Sequence, residues 1–143
     1  MRWRLSFDPN KFNAGVIEEF RTNHGKVGGN FEGAPLLLLH TTGAKSGEAR
    51  VNPIMYLEMD GRRFVFASKG GAPTHPGWYH NLLTNPSVTV ELGTETYSAR
   101  AVPVEGAEHD RIYAEQATRF PGFGEYQEKT ERLIPVVELK ASA

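Results

Sequence analysis

Pro35 to Pro53, PLLLLHTTGAKSGEARVNP, constrains the fold more than any other stretch of this chain. Pro35 to Thr41 is a short apolar run, rich enough to be a fully buried strand. Thr42 to Glu48 then turns through Gly43 and Gly47, which bracket Lys45 and Ser46, and Ala49 to Leu57 resumes as strand with Arg50 just inside it. A buried strand that stops, turns through glycines while presenting Lys, Ser and Arg, and starts again suits an anion. Glycines let backbone N–H groups approach a ligand, and cations add charge-assisted hydrogen bonds. Gly-x-x-x-x-Gly-Lys is absent, so this is not the phosphate loop of nucleotide hydrolases. The residues alone leave a second reading open, a hairpin loop whose charges are simply solvated.

The remaining punctuation predicts one small, mainly β domain over residues 1–143. A helix is expected from Asp8-Pro9, with Asp8 as N-cap, and should stop near Asn23 to Gly25; with its loop it makes an N-terminal element over 1–28. The rest, 29–140, reads as a barrel with helices. Ala49–Met59 and Arg62–Ser68 form a hairpin about Asp60-Gly61, and Ser87–Leu92 and Glu95–Val104 a second about Gly93-Thr94. Pro76–Thr84 is a short helix stopped by Asn85-Pro86, Ala107–Phe120 a longer one, and Pro121–Glu131 a helical or turn segment. Leu133–Leu139 is the expected last strand. Strands in long hairpins without βαβ alternation argue for α+β, an antiparallel barrel with short helices packed outside.

Charge and composition narrow the chemistry. The formal net charge is −1 over 143 residues, which disfavours nucleic acid. A local excess of cations between His40 and Pro76 (Lys45, Arg50, Arg62, Arg63 and Lys69 against Glu48, Glu58 and Asp60) suits a small anion better than a polymer. With no cysteine, disulfides, thiolate catalysis and cysteine-bound metals are excluded. His75 and His80 lack the i, i+4 spacing of a helix-borne metal pair, so no metal is expected. Ser46 and Ser68 have no His-Asp neighbours, which argues against a hydrolase. MRWRLSFDPNKF lacks an apolar signal core, so the default is a cytoplasmic protein, with peripheral contact at the inner membrane face through Trp3, Phe7 and Phe12 left open. For acid–base work Tyr126 and Tyr113 are the candidate side chains, though a phenol on a helix more often packs its ring.

Gly43-Ala44-Lys45-Ser46-Gly47 and Ser68-Lys69-Gly70-Gly71 each set a Lys beside a Ser after a strand. In a small barrel both strand ends can share a rim, and Trp78-Tyr79 and Asn81 follow on the next helix. Cations plus an aromatic wall are the profile of a site for a phosphorylated planar cofactor. The competing reading is a core Trp with surface lysines.

The runs HTTGAKSGEARVNPIMYLEMDG and VFASKGGAPTHPGWYHNLLTNPSVTVEL, with the closing IPVV, resemble the deazaflavin-dependent nitroreductase family, small split-barrel oxidoreductases that use coenzyme F420. The resemblance spans about Gly29 to Val137. It implies that Lys45, Ser46, Arg50 and Lys69 hold the cofactor's phosphate and acidic glutamyl tail. It sets Val65 to Lys69 against the deazaflavin ring, mainly through backbone groups at Ala67 and Ser68, and Trp78 and Asn81 beside ring and polyol. Ala44 stands where relatives often carry a basic residue, so phosphate binding leans on Lys45 and Arg50. Met55, Phe123 and Tyr126 match the acceptor side, with Tyr126 the implied proton donor or substrate contact. One hydroxyl there favours a quinone over a nitroimidazole. The implied activity is hydride transfer from reduced F420 to a quinone-like, nitro or enone acceptor. The alternatives are an FMN enzyme of the same architecture and a non-catalytic deazaflavin or lipid carrier.

Overall fold

A computed structural model describes residues 9–29 and 33–142, the side chains of 9–12 excepted. The proposed cap Asp8 and the aromatics Trp3 and Phe7 lie outside the described residues, as does the Phe12 side chain. In chain order the elements are α1 (Pro9–Thr22), β1 (Leu36–Thr42), β2 (Ala49–Met59), β3 (Arg62–Phe66), α2 (Gly77–Thr84), β4 (Ser87–Leu92), β5 (Glu95–Val104), α3 (Gly106–Arg119), α4 (Gly122–Lys129) and β6 (Val136–Ala141). The strands close an antiparallel barrel in the order β1-β2-β3-β6-β5-β4, with β4 pairing back onto β1.

The two hairpins form where turn chemistry asks for them. Met59 pairs with Arg62, and Asp60 and Gly61 between them both have positive φ (58° and 72°), the requirement of a type I′ turn. Leu92 pairs with Glu95 across Gly93-Thr94, where only Gly93 has positive φ (60°), as in type II′.

The four leucines of β1 are buried on both faces because two cores meet there. Leu37 and Leu39 enter the barrel with Ile54, Val65, Ala67, Val90 and Leu139, and α2 inserts Trp78 and Leu82 into the same cluster. Leu36 and Leu38 face the other way, onto Val16 and Phe20 of α1 and Val27. A third cluster lies outside the barrel, where Leu57, Phe64, Phe66 and Val136 meet Ile112 and Tyr113 of α3 and Phe123 of α4.

Of the strand boundaries that depart from expectation, two bear on the site. β3 stops at Phe66 rather than Ser68, and β6 begins at Val136 rather than Leu133. Pro135 has no N–H to give, so the pairing narrows there to one bond, from Ala67 N–H to Pro135 O at 3.0 Å. The freed segments 67–75 and 130–135 build part of the site.

Candidate functional site

The loop after β1 is folded on itself. Gly43 N–H donates to Glu48 O at 2.7 Å, Gly47 N–H to Gly43 O at 2.9 Å, and Glu48 N–H to Ser46 Oγ at 3.1 Å. A Cβ on Gly43 would stand 2.5 Å from Ser46 Oγ, so a larger residue would displace that hydroxyl. Asn81 of α2 ties the loop down, accepting at Oδ1 from Ala44 N–H (2.9 Å) and donating from Nδ2 to Thr41 Oγ1 (3.2 Å). Lys45 is left exposed, and Arg50 on β2 donates to Glu48 at 3.0 Å.

The loop after β3 has an unusual backbone. Ser68 is right-handed (φ −78°, ψ −40°), and Lys69, Gly70 and Gly71 are left-handed (φ 49°, 63° and 83°). A right-then-left sequence turns successive N–H groups to one side and makes an anion-binding concavity. The N–H groups of Ser68, Lys69 and Gly70 have no protein acceptor among the described residues, whereas Gly71 and Ala72 donate back to Ser68 O and Lys69 O. Lys69 holds a conformation that costs a non-glycine residue about 1 kcal/mol. Its Nζ donates to Thr74 Oγ1 at 3.1 Å.

Between these loops opens a cleft of about 700 Å³ lined by Arg50, Ser68, Lys69, Gly70, Trp78 and Asn81, and by Met55, Phe66, Phe123 and Tyr126. A second cleft, of about 580 Å³, is lined by Gly43 to Ser46 and His80. Arg50, Gly77 and Asn81 line both, so the two form one trough. Lys45, Ser46, Arg50, Ser68, Lys69, Trp78, Asn81, Met55, Phe123 and Tyr126 are thus brought together.

Three sequence candidates sit elsewhere. Val65 and Ala67 are fully buried in the barrel core and do not line the trough. Both polar backbone groups of Ala67 are engaged, its N–H with Pro135 O and its carbonyl with Arg132. Tyr113 is committed to the outer core, where its hydroxyl donates to Phe123 O at 2.6 Å and burial pushes its pKa up to about 12.

Sequence reasoning missed Asn13 of α1, Asn52, Pro53 and Phe66, all of which line the cleft. It also missed Arg132, which holds the second loop from behind. A glycine permits α4 to close on that loop: a Cβ at Gly71 would lie 2.8 Å from Tyr126 O and 3.1 Å from Tyr126 Cα. Among the described residues no group of three or more His, Asp or Glu is placed to hold a metal ion. No helix among them is long and apolar enough to cross a membrane.

Three cations, three unpaired amide donors and an apolar wall around Trp78 and Met55 fit a ligand with a polyanionic tail and a flat ring. The fold is that of the split-barrel proteins, and the trough has the charge and shape that a phosphorylated planar cofactor requires. Residues 15–141 match the family model of the F420H(2)-dependent quinone reductases, and the chain belongs to that family. An F420H(2)-dependent quinone reductase of Mycobacterium tuberculosis is 40% identical over 129 residues, 84% of this chain and 83% of that one. A solved F420-H2 dependent reductase, FDR-A, superposes with a TM-score of 0.68 at 42% identity, covering 74% of this chain and 94% of its own. The heme storage protein HutZ of Vibrio cholerae (TM-score 0.58, 20% identity, 89% and 88% coverage) shares the fold alone.

Proposed function

We propose that this chain is an F420H2-dependent quinone reductase whose trough holds the reduced cofactor and whose Met55, Phe123 and Tyr126 receive a quinone. The observation that supports this most directly is the continuity of the trough, cationic at the Lys45 end and apolar at the Phe123 end. Reduced F420 supplies the hydride when bound.

The chain's own residues supply position and charge. Lys45, Arg50 and Lys69 neutralise the phosphate and glutamyl tail. Ser46 Oγ already accepts from Glu48 N–H, which leaves its proton free to donate outward. The free amides at 68–70 bind the electron-rich part of the ligand nearest that loop, and Trp78 gives it a flat wall. Asn81 has one donor and one acceptor engaged, so its chief work is to hold the first loop in place. Val65 and Ala67 anchor the second loop to the barrel rather than touching ligand.

Reduction of a quinone to its quinol takes one hydride and one proton. Met55, Phe66 and Phe123 make the slot dry, and Tyr126 is the one hydroxyl among the acceptor-side residues named. It is the proton donor in this reading, with the phenolate restored by solvent. We place the reaction in the cytoplasm with a small-molecule acceptor.

Oxidation of reduced F420 by a soluble quinone, followed by absorbance with and without the protein, tests the proposal. Protein-dependent oxidation supports it. Saturable cofactor binding without oxidation by any quinone favours a carrier, and neither binding nor oxidation overturns the cofactor assignment.

A further inference from the structure

Arg132 lies between α4 and β6 and is not among the residues that line the trough. Its guanidinium is nevertheless spent entirely on the loop that does. Nη1 donates to Ala67 O at 3.1 Å and to His75 Nδ1 at 2.9 Å, Nη2 to Ser68 O at 2.7 Å, and Nε to Ala72 O at 2.8 Å. No carboxylate lies within ion-pair distance of it among the described residues. Burial and the missing counter-ion both count against the charged form, whose pKa burial lowers.

The geometry of a trans peptide gives this arrangement a direction. C=O and N–H of one peptide unit point opposite ways. When the carbonyls of Ala67 and Ser68 turn toward Arg132, the N–H groups of Ser68 and Lys69 turn away from it. Those are two of the three amides without a protein acceptor, on residues that line the trough. The held carbonyls of Ser68 and Ala72 flank Lys69, whose φ is 49°.

Arg132 is itself fixed from α4. Gln127 donates from Nε2 to Arg132 O at 2.8 Å and accepts at Oε1 from Ile134 N–H at 2.9 Å. A charge with no carboxylate partner thus stands behind a row of aligned peptide dipoles, and both favour negative charge on the open side.

We propose that Arg132 is the positioning residue of the trough, setting and polarising the amides of Ser68 and Lys69 against the electron-rich part of the ligand. The proposal rests on the cofactor reading for the ligand's identity but not for the loop's geometry, and the test separates the two. In the cofactor-free protein, amide NMR of Arg132→Lys and Arg132→Ala should show the Ser68 and Lys69 resonances displaced, with the β4–β5 hairpin unmoved. Added guanidinium ion should return them in Arg132→Ala.

The same proteins are titrated with F420 by fluorescence. Both variants should bind about tenfold more weakly, Arg132→Ala should recover with guanidinium, and kcat at saturating cofactor should change less than KM. If Arg132→Ala does not fold, Arg132→Lys, which keeps the charge but not the fork, carries both measurements. Unmoved amides, or a folded variant with wild-type affinity, overturns the proposal. Failure of the wild type to bind F420, with the amides displaced as expected, overturns the cofactor reading instead.

Discussion

Arg21, in the last turn of α1, donates from Nε and Nη2 to the two carboxylate oxygens of Glu91 on β4, at 3.0 and 2.6 Å. The same carboxylate meets His40 on β1, so one acidic group joins the N-terminal helix to the barrel's closing seam. The Arg21 hydrogen bonds, aided by His40, hold the Glu91 pKa below its usual 4.5 against the opposing effect of burial.

A folded-state pKa that is depressed stabilises above the unfolded value, and that stability is lost as pH falls through the folded one. Glu91→Gln should therefore cost about 1 kcal/mol near neutral pH, the half-exposed arginine reducing the effect. The gap from wild type should shrink as pH falls below the carboxylate range. Urea unfolding at a series of pH values checks this, and a gap that persists in acid would refute it.

The exposed cations of the first loop and the start of β2 are expected to act on binding more than on turnover. Replacing Lys45 and Arg50 together with alanine should weaken F420 affinity about tenfold or more, while kcat at saturating cofactor stays within about twofold. Added salt should weaken the wild type more than the double variant. Unchanged affinity would mean that the trough does not hold the anionic tail.

Gly71 and Gly70 make a matched pair for substitution. Both have positive φ, but a Cβ on Gly71 meets the Tyr126 backbone while one on Gly70 meets nothing within 4 Å. Gly71→Ala should cost about 3 kcal/mol from strain and overlap, and Gly70→Ala about 1 kcal/mol from strain alone. By moving Tyr126, Gly71→Ala should also raise KM for the quinone. Thermal unfolding and steady-state kinetics on both variants decide it; equal losses would remove the argument from close packing.

His75 accepts from Arg132 only through an unprotonated Nδ1, and it packs against Tyr79 and His80. Burial first, then the charges of Arg132 and His80, lowers its pKa from 6.5. Its contribution is therefore complete above 6.5 and disappears as pH falls through the lower, folded value. Cofactor affinity should fall over that acidic range. His75→Asn, which keeps an acceptor but cannot titrate, should flatten the profile; an unchanged profile would assign the titration to another group.

Local chemistry made much of this structure legible. Asp60-Gly61, the leucines of β1 and the Lys-Ser pairs in glycine loops each carry their meaning within a few residues. Facing was harder to read. In Arg62 to Ala67 both sides of the strand are apolar, since Phe64 and Phe66 meet α3 and α4 while Val65 and Ala67 fill the barrel. A two-residue period cannot show which side meets a ligand when both are buried. Arg132 was the least legible: beside Glu131 it reads as an ordinary surface charge, and its four acceptors lie 57 to 65 residues earlier.

The strand order also ties the loop after β3 to the closure of the barrel. β6 fits between β3 and β5, so the other strands can pair with one another but leave both of those edges bare until it arrives. Arg132 enters with that last stave. The segment that closes the sheet between β3 and β5 is thus continuous with the residue whose guanidinium holds the carbonyls of Ala67, Ser68 and Ala72. Loosening β6 would therefore open the barrel and release the loop after β3 together.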